Sequence, residues 1–408
     1  MKKIIVGQSG GPTSVINSSL AGVFKTAKDI GVETVYGMRN GIQGFLQEHI
    51  VDMGQYVKSD LDIELLRRTP SSYLGSCRYK LPEIKGNEDL YNGIFEILRK
   101  NAIDAFFYIG GNDSMDTIAK LSAYAKETGS DIRFMGVPKT IDNDLAITDH
   151  TPGFGSAAKF IAAMTKELIR DSLVYDIEQV TVVEIMGRNA GWLTASAALA
   201  KGDDNEGPDL IYLPELDFDP KAFIEKIREI QKGGKKSVVA CVSEGIHLAD
   251  GKYVFEMGAH TDFVDSFGHK QLSGTAAFLS SMIAGELGCK TRSIEFSALQ
   301  RCGAHIASYT DNREAFNVGG AAVKAASEGE TGKVILLERV SNDPYVCALG
   351  RHDVNDIANV EKKIPMDWIT NGGTYVGDEF VKYATPLIAG EIAPIMVGGK
   401  PAHLVLPR

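Results

Sequence analysis

Twice in this chain a short apolar run ends in a glycine-rich loop and passes directly into a stretch of helical spacing. Ile4, Ile5 and Val6 meet GQSGGPTSVIN at 7–17, and apolar residues then recur at Ile16, Leu20, Val23, Phe24 and Ala27 before Gly31. The order returns with IDAFFYI at 103–109, the loop GGNDS at 110–114, and a helical pattern through Ile118, Leu121 and Ala125 to Gly129. A short apolar run reads as a buried strand, and a 3.6-residue period stopped by glycine reads as a helix. Further strand candidates lie at 132–137, 180–186, 209–213, 237–242 and 334–338. Alternation of strand and helix predicts an α/β chain with mostly parallel sheets covered on both faces. In such sheets ligands bind beyond the carboxyl ends of the strands, where these glycine loops lie.

Composition bounds the rest. A length of 408 residues corresponds to two or three domain-sized units, read as two. No window approaches the ~18 unbroken apolar residues of a membrane span, and the apolar run after Met-Lys-Lys is too short for a secretory signal, so a cytoplasmic protein is expected. Five cysteines (Cys77, Cys241, Cys289, Cys302, Cys347), an odd number without a C-x-x-C pair, argue against a disulfide framework or a zinc site. The eight histidines show no metal-binding spacing. A net charge of −10 argues against a nucleic-acid binder and requires that any positive charge for an anionic ligand be local.

The loop at 7–17 could cradle a phosphate on backbone N–H groups at a helix start, although Gly-Gly there also serves a plain tight turn. Neither the Walker pattern nor G-x-G-x-x-G occurs. The loop at 110–114 adds Asn112 and Asp113, with Asp116 beyond, oxygen donors suited to Mg²⁺ between phosphates and equally to helix capping. PKTIDND at 138–144 follows a strand and places Lys139, Thr140, Asp142 and Asp144 at one strand end. A carboxylate there can take a proton from a sugar hydroxyl during phosphoryl transfer. Asp-Asn-Asp is also common in turns, but the strand and the Lys-Thr pair favour function.

GQSGGPTSVIN at 7–17, YLGSCR at 73–78, GGNDS at 110–114, PKTIDND at 138–144, VVEIMGR at 182–188, SEG at 243–245 and LQR at 299–301 together resemble the phosphofructokinase family, in the family's order. TIDND with MGR is a highly specific pair. The resemblance implies two doubly wound domains facing each other across a cleft. A phosphoryl-donor domain is expected from 1–138 plus about 255–310, and a sugar-phosphate domain from 139–254 plus about 311–408. It implies that Asp142 takes the proton from the 1-hydroxyl of fructose 6-phosphate, with Thr140 and Asp144 beside it, and that Arg78 bridges donor and acceptor phosphates. Gly10, Gly11, Gly111, Asn112, Asp113, Ser114 and Lys139 would form the donor site, with Asn112 and Asp113 at the metal. Met186, Gly187, Arg188, Glu244 and Arg301 would bind the sugar phosphate, in a homodimer or homotetramer.

The donor can be argued from charge and space. ATP-using relatives have Gly-Gly-Asp-Gly at 110–113 and glycine at 139, where this chain has Asp113 and Lys139. A carboxylate at 113 would crowd the α-phosphate and nucleoside, while an amine at 139 suits a small, highly charged donor. Inorganic pyrophosphate with Mg²⁺ is therefore expected, in a reversible reaction giving fructose 1,6-bisphosphate. The alternatives are an ATP-dependent 6-phosphofructokinase, a sedoheptulose 7-phosphate kinase, or a silent sugar-phosphate-binding subunit. Retention of Asp142, Asp144, Arg78 and Lys139 together opposes the silent reading.

Asn112 replaces a metal-associated aspartate, for which Asp113 or Asp116 would compensate, and Gln179 replaces an arginine that reaches a neighbouring subunit. CGAHIASYTDNREAFNVG after Arg301 is similar to pyrophosphate-dependent members, and Arg313 within it reads as a solvated helix residue. Lys139, Arg78, Arg188 and Arg301 must converge for an anion to bind. Trp192 and Trp368 read as packing residues, His305 as structural, Cys77 as a small buried residue and Lys235–Lys236 as a solvated turn. The sequence assigns no role to the chain beyond about 311.

Overall fold

The computed structural model describes residues 1–258, 273–358 and 360–407. Strands β1 (Lys3–Gln8), β2 (Thr34–Met38), β3 (Ile50–Asp52), β4 (Ala105–Gly110) and β5 (Arg133–Pro138) belong to one sheet. Strands β6 (Gln179–Ile185), β7 (Leu210–Tyr212), β8 (Ser237–Ser243) and β9 (Lys290–Glu295) belong to a second. β10 (Lys333–Asn342) and β11 (Tyr345–Asp353) return to the first, whose order is β11-β10-β5-β4-β1-β2-β3; the second runs β7-β8-β6-β9. The second sheet is parallel throughout. The first is parallel in its centre, with antiparallel pairs β2–β3 and β10–β11 at its edges.

The period of two along each strand separates the cores. Ile4, Val6, Phe107 and Ile109 face the helices Ile16–Asp29 and Tyr309–Ser327, while Ile5, Phe106 and Tyr108 face Glu88–Lys100 and Asn112–Thr128. In the second sheet, Val183, Ile185, Val239 and Cys241 face the helix Phe154–Ser172, and Val180, Val182, Val238 and Ala240 face Pro220–Lys232 and Thr275–Leu287. Each large apolar side chain so buried contributes about 1.5–3 kcal/mol. The helices Ile16–Asp29 and Tyr309–Ser327 cross in near backbone contact: a Cβ on Gly22 would stand 1.9 Å from Phe316 O, and one on Gly319 2.1 Å from Ser19 O.

Sheet membership corrects the expected domain pieces. β9 falls within the stretch expected to rejoin the donor domain, yet it pairs with β6 in the second sheet. The helix Tyr309–Ser327 and strands β10 and β11, mostly expected in the sugar-phosphate domain, complete the first sheet and its core. Lys-Thr-Arg-Ser-Ile-Glu in β9 is an exposed edge strand without apolar periodicity, so nothing local marks its sheet. Part of the expected crossing, 259–272, lies outside the described residues. The chain beyond 311 is thus structural in the first sheet, and from Ile364 to Ile388 it packs on the second.

Candidate active site

β5, β4 and β1 are adjacent and parallel, so the loops after them leave the same sheet edge side by side. After β1, Ser9 donates its N–H to Ile109 O at 2.9 Å, and Gly10 donates to Cys77 O at 3.2 Å. Ser76 Oγ donates to Gly10 O at 2.6 Å, so the YLGSCR segment is stitched to the glycine loop and delivers Arg78. Gly10 has φ of +75°, which favours glycine, and a Cβ there would stand 3.3 Å from Lys139 Nζ, so any side chain would also press on that amine.

After β5, Lys139 joins the other two loops. Its N–H donates to Gly110 O at 3.0 Å and its amine to Gly11 O at 2.7 Å. Thr140 Oγ1 donates to Asp142 Oδ2 at 3.3 Å and accepts the Asp142 N–H at 3.1 Å, fixing that carboxylate. Asn143 is buried at φ of 55°, accepting the Thr151 N–H at 3.0 Å. TIDND is therefore both the turn and the site.

Lys139, Thr140 and Asp142 line one cavity of about 390 Å³ with Gly10, Gly11, Gly111, Asn112, Asp113, Ser114, Asp144 and Arg78. Met186, Asn189, Arg301 and Glu361 complete its wall. Arg301 reaches the glycine loop, its Nη1 3.4 Å from where a Cβ on Gly11 would stand. Gly187, Arg188 and Glu244 are not among the residues that line it, but Arg188 acts electrostatically on Arg78 and Glu244 on Asp142, which places them next to it. Glu244 Oε1 accepts the Gly187 N–H at 3.3 Å, and Glu244 N–H donates to Ile185 O at 2.9 Å, which ties the ends of β6 and β8 together.

Charge converges as an anion site requires. Burial, then the positive charges of Arg301 and Arg188, push the Arg78 guanidinium below its ordinary pKa. Burial pulls Lys139 down to about 8 against the attraction of Asp142 and Asp144. Burial raises Asp142, which Lys139 opposes, and burial with Asp142 and Glu361 nearby pushes Asp144 up to about 7. Glu244 is pushed up to about 8, chiefly by burial. Among the described residues, three cations (Arg78, Lys139, Arg301) face four carboxylates (Asp113, Asp142, Asp144, Glu361) on the wall.

The oxygen donors of the helix start at Asn112 fit a hard divalent cation. Asn112 Oδ1 is buried without a hydrogen-bond partner, Asp113 stands beside it on the wall, and Asp113 is held only loosely, 3.8 Å from Lys80 Nζ. Asp116 is not on the cavity wall: it is buried and paired with Lys120 at 2.8 Å, which leaves Asp113 as the carboxylate beside Asn112 on the wall.

Gln179 is internal to the second sheet, donating to Ser172 O and to Ser237 Oγ, and cannot reach outward as an arginine would. Trp192 and Trp368 pack edge to face at 6.1 Å, Cys77 is buried, and Arg313 and His305 are exposed. Glu361 and Asn189 on the wall, and Lys362 and Tyr383 on the loop that carries the carboxylates, are residues that sequence reasoning missed. Glu-Lys-Lys at 361–363 reads as an ordinary charged turn and lies more than 200 residues from the carboxylates it meets.

Two α/β units whose strand-end loops bring buried carboxylates, a buried amine and arginines to one anion-sized cavity define a phosphotransferase. The family model for phosphofructokinase matches residues 3–326, and the chain belongs to that family. It is 41% identical over 99% of its length to the pyrophosphate–fructose 6-phosphate 1-phosphotransferase of Xanthomonas campestris, covering 96% of that protein. It is 40% identical over 97% of its length to the protein of the same name from Halomonas elongata, covering 93% of it. Its fold is similar to the crystal structure of a pyrophosphate-dependent phosphofructokinase from Nitrosospira multiformis, with a TM-score of 0.88, 39% identity and coverage of 100% of this chain and 98% of that one.

Proposed function

We propose that the chain transfers a phosphoryl group reversibly from inorganic pyrophosphate to the 1-hydroxyl of fructose 6-phosphate. The observation that carries the choice of donor is Lys139, a buried amine fixed on Gly11 O between the two glycine loops, with the Asp113 carboxylate on the same wall. An amine so placed supplies a cation where a bare diphosphate would end, and Asp113 crowds the path of a nucleotide's inner phosphate. The names of the relatives near 40% identity support the same reading.

In this reading Asp142, oriented by Thr140, accepts the hydroxyl proton as the phosphoryl group leaves the donor and returns it in reverse. Arg78 spreads its guanidinium over the transferring oxygens, and Arg301 with Arg188 holds the 6-phosphate. Met186 and Gly187 form the bed of the sugar, with Glu244 accepting from one of its hydroxyls. A resident Mg²⁺ would be held by Asn112 and Asp113, with Ser114, Gly111 and Gly10 lining the phosphates. It would neutralise charge shared between donor oxygens, which a wall of three cations and four carboxylates does not do alone.

We also infer a homo-oligomer. Leu173, Val174, Tyr175 and Ile177 are exposed, and Tyr175 lies 5.2 Å from Lys290 at the start of the free edge strand β9, which gives an apolar face to a second copy. No helix of the described residues is long and apolar enough to cross a membrane.

Assay of the protein with fructose 6-phosphate and either pyrophosphate or ATP tests the donor directly. Turnover with pyrophosphate is expected to exceed that with ATP by orders of magnitude; strong ATP turnover with little from pyrophosphate overturns the reading.

A further inference from the structure

The loop that carries the reacting carboxylates is held from outside by the C-terminal part of the chain. Between Asp142 and Thr151 it has no helix or ladder of its own, passes through a left-handed residue at Asn143, and is bridged at Leu145 to Glu361. Lys362 takes three of its carbonyls: its N–H donates to Asp144 O at 2.7 Å, and its amine donates to Thr148 O at 3.1 Å and Asp149 O at 2.8 Å. The same amine lies 5.1 Å from the ring centre of Trp192, which fixes its path. Tyr383 binds the loop as well. Its hydroxyl donates to Asp149 O at 2.7 Å and accepts from Asn143 Nδ2 at 2.8 Å. Asn143 is the residue between Asp142 and Asp144, so Tyr383 pins the residue that joins the two carboxylates, while the Lys362 main chain holds Asp144 O and its amine holds the far limb of the loop at Thr148 and Asp149.

A desolvated ammonium is an expensive way to hold two carbonyls, because leaving water costs the charge its hydration. We propose that Lys362 and Tyr383 are positioning residues that set how far Asp142 and Asp144 reach into the cavity; the proposal rests on the phosphoryl transfer proposed above. Neither side chain lines the cavity. Both act through the loop, where a misplacement of about 1 Å is enough to cost a reaction about 100-fold.

Lys362→Met, Lys362→Arg and Tyr383→Phe test this in the full chain, assayed with pyrophosphate, fructose 6-phosphate and Mg²⁺. Hydrogen exchange of amides 142–151 is followed in the same proteins. Lys362→Met and Tyr383→Phe are expected to lower kcat about 10–100-fold, with KM for both substrates within about threefold. Exchange should quicken over 142–151 and nowhere else. Lys362→Arg, which keeps charge and donors, should restore kcat to within about tenfold of the parent. If Lys362→Met does not fold, Tyr383→Phe carries the test, since it deletes one oxygen. A folded Tyr383→Phe with parental kcat, or unchanged exchange over 142–151, overturns the proposal. An inactive parent protein overturns the functional reading instead, and the exchange measurement still decides the clasp.

Discussion

Asp142 and Lys139 set each other's charge. Three positions apart on one strand-end loop, both are buried, and each opposes the shift that burial imposes on the other. A base must be ionised to accept a proton. Because the Asp142 pKa is raised in the fold, activity is lost as pH falls through that raised value, so the acid limb of kcat/KM should lie above the ordinary carboxylate range. A pH profile measured with pyrophosphate checks this, and a flat profile down to the usual carboxylate pKa would sink it. Asp142→Asn should lower kcat about 10²–10⁴-fold while substrate KM changes little; intact turnover would mean that another group is the base. That these groups meet at one strand end was legible in the sequence, because PKTIDND packs amine, hydroxyl and carboxylates into seven contiguous residues. Glu361 was not legible, since its effect on Asp144 exists only through space.

At the scale of elements, the strand–loop–helix units read from the sequence form as expected: β1, β4, β5, β6, β7, β8 and β10 all fall on the apolar runs that predicted them. Their cores are two-sided, so the runs are continuous and easy to see. β2, β3, β9 and β11 escaped because they are edge or near-edge strands with mixed exposure, where polar residues break the pattern. The pairing of helices Ile16–Asp29 and Tyr309–Ser327 was invisible for a different reason: glycines at 22 and 319 mark closeness only once the partner is known. Gly22→Ala drives a Cβ into Phe316 O and is expected to destabilise the protein by about 1–3 kcal/mol. A denaturant melt measures it, and kcat of the folded fraction should be unchanged, because the clash lies along the helix rather than in the loop.

Across the whole molecule, a net charge of −10 surrounds a cavity into which arginines and a lysine converge. Pyrophosphate must approach an acidic protein through that local field, and salt screens such attraction over about 10 Å at 0.1 M. KM for pyrophosphate should therefore rise several-fold between low and moderate ionic strength at fixed free Mg²⁺, with kcat nearly constant; a KM indifferent to salt would remove electrostatic guidance from the account. The sequence alone determined the α/β class and the central strands through local periodicity, and the family with most residues of the cavity through motifs that resemble phosphofructokinases, because each motif spans only a few neighbouring positions. Tertiary structure decided which sheet claimed β9, β10 and β11, and that Glu361, Lys362 and Tyr383 stand around the reacting loop. Those outcomes depend on contacts between segments up to more than 200 residues apart, and no local pattern encodes which distant edge or carbonyl a strand or a lysine will meet.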